Sequence, residues 1–223
     1  MRLVLLPGLN GSSRLFAPLL AHLQDLHCEI IELPQRGAQD YPSLAGRLIG
    51  QLSDTPFVLL GESFSGPLAH HLALQNPSGL RGLVFAASFL QPPHPLTALA
   101  SRLPIPKRLL NHHRLLRLFC VGDAPDDILR LLQAEVRDLP DELVRARLKA
   151  LAQLRAPQQR VSTPALHLWP TRDRLVTNAS AASIANGCGR LIQERIEGPH
   201  FLLQSRPQAC AAAIGRFMEK LSA

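Results

Sequence analysis

The sequence predicts an α/β domain built on a parallel sheet flanked by helices, with a helical block inserted before the last two strands. Three observations carry that expectation. Short apolar runs alternate with longer amphipathic stretches along most of the chain, the pattern of successive βαβ units. Gly, Pro, Asn or Ser punctuates each change of pattern. Between residues 91 and 160 the alternation stops, and helical Leu-Arg patterns take over.

The apolar runs place six strands at 3–6, 29–33, 57–61, 82–86, 165–169 and 191–196. Candidate helices lie between and after them at 14–23, 44–52, 64–75, 179–185 and 208–221. The insertion opens with two Pro-rich stretches, PPHP and LPIP, and its helices are expected at 106–119, 124–136 and 141–156. Their Leu content suits packing over a groove as well as a small satellite core. The expected organisation is a core domain in two parts, 1–90 and 161–223, with a helical cap at 91–160 between them.

At 223 residues the chain is long enough for one substantial core. Hydrophobic residues make up 46% of it and aromatics only 4%, so the core and any ligand pocket should be aliphatic. Cys28, Cys120, Cys188 and Cys210 show no Cys-x-x-Cys pairing, which argues against a zinc ribbon, a redox motif or a disulfide framework. The apolar run at 3–6 is too short for a signal peptide or a membrane span, so the expected location is the cytoplasm.

The formal charge is +7, and no acidic residue falls between Glu62 and Asp123. Arg102, Lys107, Arg108, Arg114 and Arg117 cluster inside that gap. The asymmetry points to an acidic partner, although an Arg-rich composition accounts for the same charges. Nucleic acid is disfavoured, because no recognition motif or basic-aromatic interleaving is present.

The run PFVLLGESFSG sets a strand, then Gly61-Glu62-Ser63-Phe64-Ser65-Gly66, then a helix, the setting of a nucleophile elbow. Such a turn strains its central residue and needs small neighbours two positions away, which Gly61 and Ser65 provide. Ser63 is therefore the expected nucleophile, against the plain alternative of a helix N-cap serine. Ser65 as nucleophile would put the attacking oxygen inside the first helical turn.

An acyl-transfer site also needs donors where the carbonyl oxygen becomes negative. The PGLNG turn after the first strand offers the Leu9 backbone N–H, and the residue after the nucleophile offers that of Phe64. The turn read alone is an ordinary strand-to-helix connection. LHLWPTRDRLV presents Asp173 just past a strand, and RIEGPHFLLQ puts His200 on the loop after the last one. Each comes after its expected strand, in the order Ser, Asp, His. His200 would take the Ser63 proton, and Asp173 would fix the imidazole tautomer and stabilise the imidazolium.

Together LLPGLNGS, IELPQRG, GESFSG, TRDRLV and EGPHFLLQ resemble the signatures of the α/β-hydrolase superfamily over most of the chain except the cap. The resemblance implies a central sheet, a cap inserted after the family's sixth strand, and esterase-type chemistry without metal or organic cofactor. Three departures stand out. The chain opens at the family's third strand, Ser65 replaces the last Gly of G-x-S-x-G, and Gln35 stands where the family often has Gly. A serine at the elbow excludes the dehalogenase and epoxide-hydrolase branches, which use Asp. Ester, thioester, lactone and C–C bond hydrolysis stay open, beside a non-catalytic binding protein that kept the fold.

Fold alone names no substrate, so the cap must carry that argument. An apolar slot under a basic rim fits an ester on an acidic acyl carrier protein. In this plan the chain resembles bacterial esterases that cleave the methyl ester of a pimeloyl-type acyl carrier protein. Other polar groups have simpler readings. His70-His71 and His112-His113 are adjacent pairs that diverge on a helix rather than share a metal. Asp123, Asp126 and Asp127 read as a loop and helix start, where carboxylates favour the positive dipole end. Trp169 ends a strand, as core or pocket wall.

Overall fold

The computed structural model describes residues 1–102 and 107–222, apart from the side chain of Lys107. Its strands are β1 (Arg2–Leu6), β2 (Cys28–Ile30), β3 (Phe57–Glu62), β4 (Leu80–Ala86), β5 (Ala165–Pro170) and β6 (Leu191–Ile196). They form one sheet in the order β2-β1-β3-β4-β5-β6, parallel throughout. The expected sheet is present, strand for strand.

Successive residues of the central strands enter opposite cores. Val4, Leu6, Phe57 and Leu59 join the cluster on one face, whereas Leu3, Leu5, Val58 and Leu60 join the other. Helices Tyr41–Leu48 and Ser65–Ala73 cover the first face; Ala17–Leu20 and Pro207–Ser222 cover the second. Because both faces are buried, β1 and β3 read as unbroken apolar runs rather than alternating ones. Each fully buried Leu contributes about 1.5–3 kcal/mol over its exposed state, so these strands anchor the fold.

Element boundaries differ from the expected ones where local chemistry overrides the pattern. β2 pairs with β1 only to Ile30, and Leu33 N–H turns away to bond the Gly11 carbonyl at 2.9 Å. The helix expected at 14–23 is a 3₁₀ turn, Ser13–Phe16, followed by one α-turn, Ala17–Leu20, with Pro18 in its first positions. Proline lacks the N–H that would continue the ladder. Helix Tyr41–Leu48 starts earlier than its apolar pattern, because Asp40 caps it by accepting from Ser43 N–H at 2.9 Å and Pro42 sits in its first turn.

The insertion shows the largest difference. The expected helix 106–119 begins at Pro106, outside the described residues. Its remainder is two single turns, Lys107–Leu110 and His113–Leu116, separated by the extended backbone of His112. A π-type turn, Arg117–Val121, then ends at Gly122 with φ +55°. Two regular helices come next, Asp126–Asp138 and Asp141–Gln153, each entered from a proline and carrying acids in its first turn. Leu116, Val121, Ile128, Leu129 and Leu132 form a small core of their own with Leu15, whereas Ala150, Leu151 and Leu154 join the main core.

From β1 the chain crosses to β2 on one side and then returns to β3 on the other. That reversal opens a crevice at the C-terminal ends of β1 and β3, where open α/β sheets bind ligands. No helix among the described residues is long and apolar enough to cross a membrane.

Candidate active site

At the end of β3 the chain makes the tight turn expected of an elbow. Ser63 sits at φ +46°, a region L-residues rarely adopt, and its peptide is pinned from both sides. Ser63 N–H donates to the Ala86 carbonyl at 2.9 Å, and its own carbonyl accepts from Ser88 Oγ at 2.7 Å. Gly61 is required, because a Cβ there would strike the Ser65 carbonyl. The second tight position is Gly66 rather than Ser65, since a Cβ at Gly66 would collide with the Ser88 side chain. Ser65 is wholly buried and its hydroxyl donates to the Pro7 carbonyl at 2.5 Å, tying the elbow to the loop after β1.

Ser63 Oγ lies 2.8 Å from His200 Nε2, and His200 Nδ1 lies 2.7 Å from Asp173 Oδ2. The other Asp173 oxygen accepts from the N–H groups of Leu175 and Val176 at 2.8 and 2.9 Å, which fixes the carboxylate beyond β5. His200 is held by its neighbour: Phe201 N–H donates to the Cys120 carbonyl at 3.0 Å, so the insertion touches the histidine loop. Burial alone would lower the proton affinity of His200. The Asp173 charge and hydrogen bond, with Glu62 behind them, outweigh it and leave the imidazole raised above its ordinary value.

Leu9 and Phe64 stand at the ends of neighbouring strands, three residues beyond the paired Leu6 and Gly61. Among the described residues neither N–H has an acceptor in the protein. The arrangement thus links a hydroxyl, an imidazole and a carboxylate in one hydrogen-bonded chain. Such a chain can carry a proton away from the hydroxyl oxygen.

The sequence outline is that of a known family. Residues 3–213 match the model of the alpha/beta hydrolase family. The chain belongs to that family. The hydrolase is 31% identical to the pimeloyl-acyl carrier protein methyl ester esterase of Shewanella woodyi, over 78% of its own length and 76% of that protein. Among solved structures it resembles a thermophilic esterase from Thermogutta terrifontis, with TM-score 0.82 and 17% identity, covering 100% of this chain and 91% of the other. It also resembles the enol-lactonase from Burkholderia xenovorans, with TM-score 0.77 and 18% identity, covering 97% and 90%. These two likenesses are of fold.

The basic residues of the insertion divide in the hydrolase. Arg102, Arg108 and Arg114 are exposed, and the Lys107 side chain lies outside the described residues. Arg117 is not a free rim charge. It bonds the Gly122 and Ala124 carbonyls and pairs with Asp126, so it closes the turn that precedes the next helix. The sequence stretch lacks carboxylates up to Gly122, but the fold brings one to Arg117 from beyond that limit.

The acidic cluster is likewise structural. Asp123 bridges Arg206 and Arg172, whose hydrogen bonds pull its carboxyl down to about 2. His70 is buried against the Gly187 carbonyl at 3.1 Å, and His112 and His113 are exposed. Trp169 is buried, stacked on His167 and covered by the Arg195 guanidinium at 4.8 Å.

Sequence reasoning missed four residues at this site: Glu62, Ser88, Gln204 and Arg147. Glu62 was visible as an acid inside an elbow otherwise built of small and apolar residues. Burial raises its carboxyl, against bonds from Gln204 and the Gly8 N–H and the charge of His200. Arg147 gave no signal, because it sits among the other arginines of an amphipathic helix.

Proposed function

We propose that the protein is a serine carboxylesterase. Ser63 attacks the ester carbonyl while His200 takes its proton, Asp173 holds the imidazole in the tautomer that accepts at Nε2, and the Leu9 and Phe64 N–H groups receive the oxyanion. The adduct collapses to an acyl-serine and releases the alcohol, which takes the proton from His200. Water, deprotonated by the same imidazole, then releases the acid. The observation that carries this reading is the unbroken hydrogen-bond chain from Ser63 through His200 to Asp173. A strained Ser63 backbone supports it.

The test is hydrolysis of p-nitrophenyl esters from acetate to octanoate by the parent, Ser63→Ala and Asp173→Asn. Loss of the nucleophile should cost about 10⁶-fold in turnover. Asp173→Asn should lose most of the rate with the fold intact, because the amide favours the wrong tautomer. Full activity of Ser63→Ala would overturn the assignment. So would a parent that binds esters without turning them over.

For the physiological substrate the same reading favours a methyl ester carried by an acyl carrier protein. Two facts support it: the 31% identical relative bears that activity in its name, and Arg102, Arg108 and Arg114 present exposed positive charge on the insertion. An acidic carrier would meet that rim while the acyl chain enters beneath it. The four free cysteines suit the reducing cytoplasm that we propose as the setting.

A further inference from the structure

Arg147, on helix Asp141–Gln153 of the insertion, is wholly buried and has no carboxylate partner among the described residues. Its guanidinium points down to the mouth of the sheet. Nη1 donates to the Leu9 carbonyl at 2.6 Å, Nη2 to the Pro34 carbonyl at 3.1 Å, and Nε to Gln39 Oε1 at 3.0 Å. The cation covers the Phe64 ring, 5.7 Å from its centroid. One side chain therefore touches both residues whose N–H groups are assigned to the oxyanion.

A buried cation without a counter-charge is expensive to keep, and an apolar side chain of similar volume is often at least as stable. Stability is thus a poor reason for Arg147. Its contacts suggest another. The carbonyls on either side of the Leu9 Cα are each fixed by a different bond: that of Gly8 by Gly11 N–H at 3.0 Å, and that of Leu9 by Arg147. With carbonyls immobilised on both sides of its Cα, Leu9 has no freedom to swing its N–H away. Gly11 makes room for this contact. At φ +76° it favours glycine, and a Cβ there would lie 2.5 Å from Arg147 Nη1.

A second side chain of the insertion grips the far end of the same loop. Glu135, on helix Asp126–Asp138 and buried, accepts from Asn10 Nδ2 at 2.9 Å and from the Ser12 hydroxyl. Burial and nearby Arg47 lower Arg147 only to about 10, so it stays cationic at neutral pH.

Resting on the esterase reading above, we infer that Arg147 is a positioning residue: it clamps the Leu9 loop against Phe64, so that the inserted helices set the geometry of the oxyanion hole as well as roofing the substrate. Seating of the insertion and transition-state stabilisation are then coupled through one side chain. A lid that only covered substrate would show no such coupling.

The experiment compares the parent with Arg147→Met and Arg147→Lys, using p-nitrophenyl butyrate kinetics, the rate of phosphonylation by a fluorophosphonate, and thermal unfolding. Displacing a catalytic group by about 1 Å costs on the order of 10²-fold, so Arg147→Met should lose roughly ten- to a hundredfold in kcat. Phosphonylation should slow in parallel, with KM and the acid limb of the pH profile unmoved. Arg147→Lys, which keeps the charge and one bond but not the fork, should fall between the two. Should Arg147→Met fail to accumulate folded, Arg147→Lys decides alone, through a threefold or larger loss of kcat at constant KM. Parent-like kcat in the folded variants, or loss no greater than the unfolded fraction, overturns the inference. An inert parent that leaves Ser63 unlabelled overturns the esterase reading itself, and the inference with it.

Discussion

Gln204 Nε2 donates to Glu62 Oε1 at 2.8 Å, and that bond keeps a carboxylate in the interior one residue before Ser63. Glu62 in turn helps to raise the proton affinity of His200. Removing its charge should let His200 lose its proton more readily. Glu62→Gln is therefore expected to move the acid limb of kcat/KM to lower pH. A pH series with p-nitrophenyl butyrate from about pH 5 to 8 checks the sign; an unmoved or rising limb contradicts it.

Ser65 is expected to matter for stability more than for chemistry. Ser65→Ala strips the Pro7 carbonyl of its donor in a buried site, a loss of about 1–3 kcal/mol. Urea unfolding should show that loss while substantial esterase activity remains. An inactive but fully stable variant would reverse the roles given to the two serines.

His167 is buried on β5, neither ring nitrogen has a hydrogen-bond partner among the described residues, and burial pushes it down to about 4. The unfolded chain takes up this proton near the ordinary value of 6.5, before the folded protein does. Stability is therefore complete above about pH 6.5 and falls as pH drops towards 4, by about 3 kcal/mol from this group. Burial lowers His70 and His71 too, which adds the same sign. His167→Met should flatten the acid side of a plot of unfolding free energy against pH. A parallel curve for the variant would refute the assignment.

The features legible in the sequence are those set by local physics. The sheet could be read because both its faces are buried, so Leu3 to Leu6 and Phe57 to Leu60 are continuous apolar runs. Ser63, Asp173 and His200 could be read because each comes after a strand in a fixed order. The contacts around them could not. Arg147 reaches across 138 residues to Leu9, and Gln204 across 142 to Glu62, separations at which no sequence period operates. The expected helix at 106–119 failed for a related reason: its Leu spacing is helical, but Asn111 and His112 break it locally. Arg117 reads as a rim charge in the sequence because its partner Asp126 lies beyond the stretch free of acids.

The carrier-protein reading is tested by charge. Arg108→Glu with Arg114→Glu should slow hydrolysis of a carrier-bound methyl ester several-fold and leave p-nitrophenyl butyrate untouched. Each exposed charge contributes about 1 kcal/mol or less, so the double variant is the useful one. Added salt should slow the parent on the carrier substrate alone, because exposed charges are screened over about 8 Å at physiological ionic strength. Equal salt response on both substrates would reduce these arginines to a solvated face.

The nucleophile we propose is the Ser63 hydroxyl, activated by His200 and Asp173. Its most direct measurement is peptide mapping by mass spectrometry after reaction with a fluorophosphonate, run on the parent, Ser63→Ala and Ser65→Ala. A single phosphonyl group on Ser63 is expected in the parent and in Ser65→Ala, with none in Ser63→Ala. Modification at Ser65, or labelling that survives Ser63→Ala, would rule out Ser63 as the nucleophile.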